Sequence, residues 1–212
     1  MKTTVKIAAL AAIMLLPVVA ANAQVQFGVR AGGSLSTQSS LGELWNNDGV
    51  KQGVFAGLTA EYTVVKGFSL AGEVNYLEKG SKYDIFVTGS KYNVSRKYDY
   101  LNIPVMAKGN FTNALGVSEP FSVFGYAGPY CGVLLSSKDS FTNAEPASSV
   151  ELKSTAKSSD FGAVAGFGAS YKLPKKGEIY IDLRYEMGLV SIDKQDSDLR
   201  NKSMEAGIGF RF

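Results

Sequence analysis

Asp182 and Glu186 lie four residues apart in a stretch, residues 179–189, whose side chains alternate between apolar and polar. Two carboxylates are the minimum equipment of a glycoside hydrolase, one serving as acid and the other as base or nucleophile. On one strand face, at ~3.3 Å per residue, this pair stands about 13 Å apart. It would need groups from other strands to act on a single bond, and Arg184 between the two acids is a ready ion-pair partner.

The rest of the chain offers little other chemistry. Its 212 residues contain no histidine and a single cysteine, Cys131. The usual general base, the commonest metal ligand and every His-dependent triad are therefore missing. An intramolecular disulfide or a thiolate metal cage is excluded as well. The acidic run Asp193, Asp196, Asp198 lacks the spacing and the glycine of a calcium loop, and Cys131 falls in an apolar frame, where it reads as a small filler. No enzyme, cofactor or metal is expected. The formal charge of +3 falls to +1 without Lys2 and Lys6, too balanced for a nucleic-acid partner.

Those two lysines belong to residues 1–23, which read as a cleaved secretory signal. An apolar run from Ile7 to Ala20 follows them, and Ala21-Asn22-Ala23 supplies small residues before Gln24. The remaining domain, 24–212, has no stretch of ~18 consecutive apolar residues, so it can span a membrane only as a closed barrel. It holds all 23 glycines, poor material for helices.

Period-two alternation recurs in eight segments. Their apolar frames are Phe27-Val29-Ala31-Gly33-Leu35, Val54-Ala56-Leu58-Ala60-Tyr62, Phe68-Leu70-Gly72-Val74-Tyr76, Leu101-Ile103-Val105-Ala107-Gly109-Phe111, Phe121-Val123-Gly125-Ala127-Pro129-Cys131, Phe161-Ala163-Ala165-Phe167-Ala169-Tyr171, Ile179-Ile181-Leu183-Tyr185-Met187-Leu189 and Met204-Ala206-Ile208-Phe210-Phe212. No frame position is charged. The intervening positions hold Arg30, Glu61, Glu73, Lys108, Asp182, Arg184, Glu186, Glu205 and Arg211.

A soluble barrel with an apolar interior would alternate in the same way. Two further features favour the membrane. Short connections, 64–67, 112–120 and 172–178, alternate with long ones, 36–53, 77–100, 132–160 and 190–203, as periplasmic turns alternate with outer loops. At the short-turn end the frame residues are Phe27, Tyr62, Phe68, Phe111, Phe121, Tyr171, Ile179 and Phe212, nearly all aromatic, as in an interfacial girdle. The fold expected is all-β, an eight-stranded antiparallel transmembrane up-and-down barrel in a Gram-negative outer membrane. Pro104 and Pro129, inside strands, are expected to mark bulges or kinks.

Ile208, Phe210 and the terminal Phe212 look like the C-terminal signal read by the outer-membrane barrel-assembly machinery. The stretches Glu73–Gly80 (EVNYLEKG) and Tyr100–Lys108 (YLNIPVMAK) are similar to paired motifs of PorT-like outer-membrane β-barrel proteins, a family common in Bacteroidetes. The resemblance implies eight strands with both termini in the periplasm. The family's founding member is linked to type IX secretion, whereas most relatives have no assigned role.

The nine inward charges predict a salt-bridged plug, with Arg30, Arg184 and Arg211 reaching Glu61, Glu73, Asp182, Glu186 or Glu205, because unpaired charges in a narrow lumen are costly. Glycines on the same face, Gly28, Gly57, Gly162, Gly166, Gly168, Gly207 and Gly209, either make room for large neighbours or leave a passage. Outside, residues 82–92 read as a hairpin whose Lys82, Tyr83, Phe86, Lys91 and Tyr92 could bind a protein or glycan, and loop 136–159 reads as mobile. Trp45 reads as a local anchor. The function expected is structural, adhesive or surface-interacting, in a monomer among outer-membrane lipid and lipopolysaccharide. A narrow channel for ions or small solutes and a secretion accessory are the alternatives.

Overall fold

A strand crossing a membrane must find a ladder partner for every backbone N–H and C=O, and a sheet achieves this only by closing on itself. The computed structural model describes residues 25–39, 49–87, 90–143, 149–152, 156–194 and 198–212. The export segment and Trp45 lie outside the described residues. Nine strands are found among those described: β1 Val25–Ser39, β2 Lys51–Val65, β3 Phe68–Val87, β4 Ser90–Asn110, β5 Phe121–Asn143, β6 Ser149–Leu152, β7 Ser159–Lys172, β8 Glu178–Gly188 and β9 Arg200–Arg211. β1 to β5 pair in order, β5 pairs with β7 past the short β6, and β9 returns from β8 to β1, always antiparallel. Eight strands thus close a ring, and β6 hangs on the outer end of β5 through Asp139↔Leu152 to Thr142↔Ser149. The seam is tied at its periplasmic end, where the Phe212 N–H donates to the Phe27 carbonyl at 3.0 Å.

The two faces of the wall are opposite to those of a water-soluble barrel. Phe167, Ile181 and Ile208 are more than half exposed on the outside, while Arg30, Asp182 and Arg184 are at most 4 % exposed inside. Such a wall is stable only where the outside is apolar, which excludes the soluble alternative.

Large inward rings are accommodated by glycines on the neighbouring strand. A Cβ on Gly162 would come within 2.6 Å of the Tyr130 ring, one on Gly166 within 2.6 Å of the Tyr126 hydroxyl, and one on Gly168 within 2.6 Å of the Phe124 ring. The inward glycines therefore make room for bulk. Gly67 and Gly177 serve the tight turns, with φ of 88° and 90°, a region L side chains avoid.

Two expectations require correction. The prolines mark no bulge, since Pro104↔Tyr130 and Ala107↔Ala127 keep one register and Pro129 pairs with Ala163. They do interrupt the ladder: β4–β5 pairing skips Val105 and Met106 opposite Pro129 and Gly128, and β3–β4 pairing skips Ile103 and Pro104 opposite Val74 and Glu73. Each lacks one N–H, and intact pairs on either side hold the strand in place. The shifts fall instead at Asp99/Tyr100 and at Thr63/Val65. Residues 136–143, read as part of a mobile loop, are strand: β5 continues along β4 from Asp99↔Ser136 to Tyr92↔Asn143. Polar Ser/Thr/Lys composition does not prevent pairing where a neighbouring strand is already extended.

Gly166→Val should lower the yield of the compact, heat-modifiable band on refolding and destabilise the barrel by about 1–3 kcal/mol through overpacking against Tyr126. Gly33→Val, where an added Cβ meets nothing within 4 Å, should refold like wild type in the same gel assay.

Candidate functional site in the lumen

Strand pairing stacks the inward side chains in tiers. Nearest the periplasm, Lys108 on β4 donates to Glu61 Oε2 on β2 at 2.7 Å. Arg211 Nη1 on β9 lies 3.3 Å from Glu61 and 2.9 Å from Glu178. Both cations also lie over the Phe124 ring, at 4.1 and 5.4 Å from its centroid.

The middle tier crosses the barrel. Arg30 Nε donates to Asp182 Oδ1 and Nη1 to Glu205 Oε2, each at 3.0 Å. Arg184 grips Glu73 with two hydrogen bonds of 2.8 Å, from Nη1 to Oε2 and from Nη2 to Oε1, the strongest geometry open to an Arg–carboxylate pair. The Tyr126 hydroxyl donates to Asp182 Oδ2 and accepts from Arg184 Nε at 3.2 Å. Asn75 Nδ2 donates to Glu73 at 2.7 Å.

In the outer tier Lys79 Nζ lies 3.0 Å from Glu186 and 3.4 Å from Asp160, with the Tyr130 ring 4.3 Å away. Asn102 Nδ2 donates to Glu186 at 2.8 Å, and Asn201 Nδ2 to Asp160 at 3.0 Å. Above it, Tyr98, Tyr100 and Ile192 form a buried apolar cluster with Leu134 and Ala156 packed on it. The Lys157 N–H holds that cover by donating to the Ile192 carbonyl at 2.7 Å.

All nine charges named from the alternation lie on this inner face, and Arg30, Arg184 and Arg211 have carboxylates from the expected set. Asp182 and Glu186 are engaged by Arg30 and by Lys79, not by each other. The alternation as read missed Lys79, Asp160 and Glu178. Lys79 continues the inward frame Glu73, Asn75, Leu77, and Asp160 directly precedes Phe161; both fell outside strands taken as one bilayer long. A cavity of about 30 Å³ remains among Glu61, Met106, Phe124 and Tyr180, room for about one water. Below it opens a polar vestibule of about 350 Å³ towards the periplasm.

The aromatic residues fall where the short turns are. Phe68, Phe111, Phe121, Tyr171 and Phe212 are exposed beside the turns at 66–67, 111–120 and 173–177, as is Tyr62 on β2; Phe27 is half-buried. Phe121 and Tyr171 meet edge to face at 5.1 Å. Ile208 on β9 and Phe212 just beyond its end are exposed, and the Phe210 and Phe212 rings are 6.1 Å apart. On the outer hairpin, Lys82 is exposed and Tyr83 lies half-buried with the Arg96 guanidinium 5.8 Å from its ring centroid. β3 and β4 pair up to Val87↔Ser90; the side chains of Phe86, Lys91 and Tyr92 lie outside what is described. Among the described residues no group of three acidic, His or Cys side chains could hold a metal.

A closed antiparallel ring of eight strands, apolar outside and charged within, defines an outer-membrane β-barrel. Residues 20–194 match the family model described as "Outer membrane protein beta-barrel domain", and the chain belongs to that family. No curated protein matches it. Among solved structures it is similar to the attachment invasion locus protein Ail of Yersinia pestis, at 16 % identity and a TM-score of 0.43, over 89 % of this chain and 99 % of Ail. It is also similar to OprG of Pseudomonas aeruginosa, at 12 % identity and 0.49, over 89 % and 96 %. A major outer membrane protein of Thermus thermophilus compares at 14 % and 0.49, over 89 % and 99 %.

Arg184→Ala leaves Glu73 without its two strongest bonds and should cost about 3–5 kcal/mol, read as a lower urea midpoint in detergent. Replacing both Arg184 and Glu73 by Met should cost less than the single change. At the outer rim Lys97→Ala, which removes the half-exposed pair with Glu78 at 2.6 Å, should cost no more than about 1 kcal/mol.

Proposed function

We propose that the protein acts as a closed, non-catalytic outer-membrane barrel that presents the outer extension of β3, β4, β5 and β6 as an interaction surface. The observation that carries this reading is the filled lumen: three tiers of paired charges, a cavity of about 30 Å³ between them, and an apolar cover at Ile192. Solute passage would require several ion pairs to open together. Catalysis has no histidine to draw on, and Asp182 and Glu186 are at most 4 % exposed.

The four outer connections carry as many acidic as basic residues. The connection that carries the hairpin, residues 77–100, is mildly basic by itself, with five basic and three acidic residues, and a protein or a glycan would meet the hairpin at 82–92 by stacking and charge. The remaining parts support delivery. Residues 1–23 would direct export and be cleaved, and Ile208, Phe210 and Phe212 would engage the assembly machinery. The motifs at Glu73–Gly80 and Tyr100–Lys108 support a PorT-like assignment.

Refolded wild-type barrel in a planar bilayer should be electrically silent, and Arg184→Ala should open brief, small conductance steps. Steady single-channel steps in wild type, altered by Arg184→Ala, would make the barrel a pore and end the closed-scaffold reading.

A further inference from the structure

The lumen does not balance its charges tier by tier. Lys108 and Arg211 match Glu61 and Glu178. Among the described residues, however, Arg30 and Arg184 in the middle tier face Glu73, Asp182 and Glu205, and in the outer tier Lys79 is the one cation facing Asp160 and Glu186. These eight side chains are at most 8 % exposed. Two carboxylates in excess, shut away from water, are costly, and a single positive charge placed between the two tiers would offset one of them and lower the repulsion felt by the other.

The register shows where the excess collects. On β8 and β9 Arg184 pairs with Glu205 and Glu186 with Ser203, so Glu186 and Glu205 are diagonal neighbours on the inner wall, with Ser203 between them. Glu205 Oε2 accepts from Arg30, yet among the described residues Glu205 Oε1 is buried without a hydrogen-bond partner, and so is the Ser203 Oγ. Both residues are at most 3 % exposed. Glu186 Oε1 accepts from Asn102, and Glu186 Oε2 has only the Lys79 ion pair at 3.0 Å. The patch is lined by oxygen, carries surplus negative charge and lies at the junction of the two deficient tiers.

We propose that one monovalent cation of the sodium type is held against Glu205 Oε1, Ser203 Oγ and the Glu186 carboxylate. Hard cations take oxygen ligands. A divalent ion is disfavoured because only two carboxylates meet there and Lys79, Arg30 and Arg184 stand close by. The inference rests on the closed lumen, and the two fail differently: conduction is read as current across a bilayer, cation binding as stability in micelles at zero potential.

The test is thermal unfolding of the refolded protein in sodium chloride and in choline chloride at equal ionic strength. Wild type should melt roughly 3 °C or more higher in sodium, at about tenfold excess over the dissociation constant. Glu205→Gln, which removes one surplus charge, should melt at the same temperature in both salts and no lower than wild type in choline. Ser203→Ala should keep part of the sodium increment, and it decides the matter if Glu205→Gln does not refold. Equal melting of wild type in both salts would overturn the proposal. An infrared carbonyl band of a protonated carboxyl, absent from Glu205→Gln, would then assign the missing charge to a proton. A sodium increment that survives unchanged in both variants would place the ion elsewhere and overturn it too.

Discussion

Ring closure between β1 and β9 is the constraint from which the other features follow. Twelve residue pairs, Gly28↔Arg211 to Ser39↔Arg200, join the first strand to the last, and no backbone donor of the wall need then face lipid unpaired. Eight strands are few. Their ring encloses an interior just wide enough for side chains, so whatever points inwards must interlock. The glycines opposite Phe124, Tyr126 and Tyr130 follow from that width, and so does the pairing of the charged groups, which have no water to retreat into.

Charges inside also protect the alignment of the wall. A slip of one residue in any strand exchanges its two faces. For β8 it would turn Asp182, Arg184 and Glu186 into the bilayer and Ile181 and Leu183 into the lumen. An arginine at the bilayer midplane costs about 2–4 kcal/mol on a barrel's lipid face, and its former partners would be left buried and unpaired. An all-apolar strand would carry no such penalty. The ion pairs contribute little as net attraction, since burial costs much of what they gain, but they make the alternatives expensive.

The part of this legible in the sequence is the part with local cause. Alternation from Ile179 to Leu189 assigns each residue to a face without knowledge of its neighbours, and the aromatic ends of the frames mark the interface in the same way. What depends on the partner strand was not legible. Lys79 and Asp160 sit where strands run on past the bilayer, so a limit of one membrane thickness left both out. Polar residues 136–143 extend β5 because β4 already offers a ladder there. Gly162, Gly166 and Gly168 were compatible with either a passage or a socket until Tyr130, Tyr126 and Phe124 could be placed against them. Pro104 and Pro129 interrupt the ladder without shifting its register, because a missing donor in a ring of ladders is carried by the pairs around it.

The filled lumen and the outer extension belong to one mechanical unit. β3, β4 and β5 supply Glu73, Lys79, Asn102, Tyr126 and Tyr130 to the middle and outer tiers, and the same three strands continue outwards, paired, to Val87, Ser90 and Asn143, with one register shift at Asp99/Tyr100 between β4 and β5. Cross-barrel bonds from Arg184 to Glu73, from Lys79 to Asp160 and from Asn102 to Glu186 fix these strands against β7 and β8. The cover at Tyr98, Tyr100 and Ile192 fixes them again at the level where they leave the ring. An extension rooted in this way keeps its orientation to the membrane. In the proposed role, binding to this extension would avoid part of the ordering entropy that a free loop would lose. The lumen would then contribute without touching a partner, by holding still the strands that present the surface.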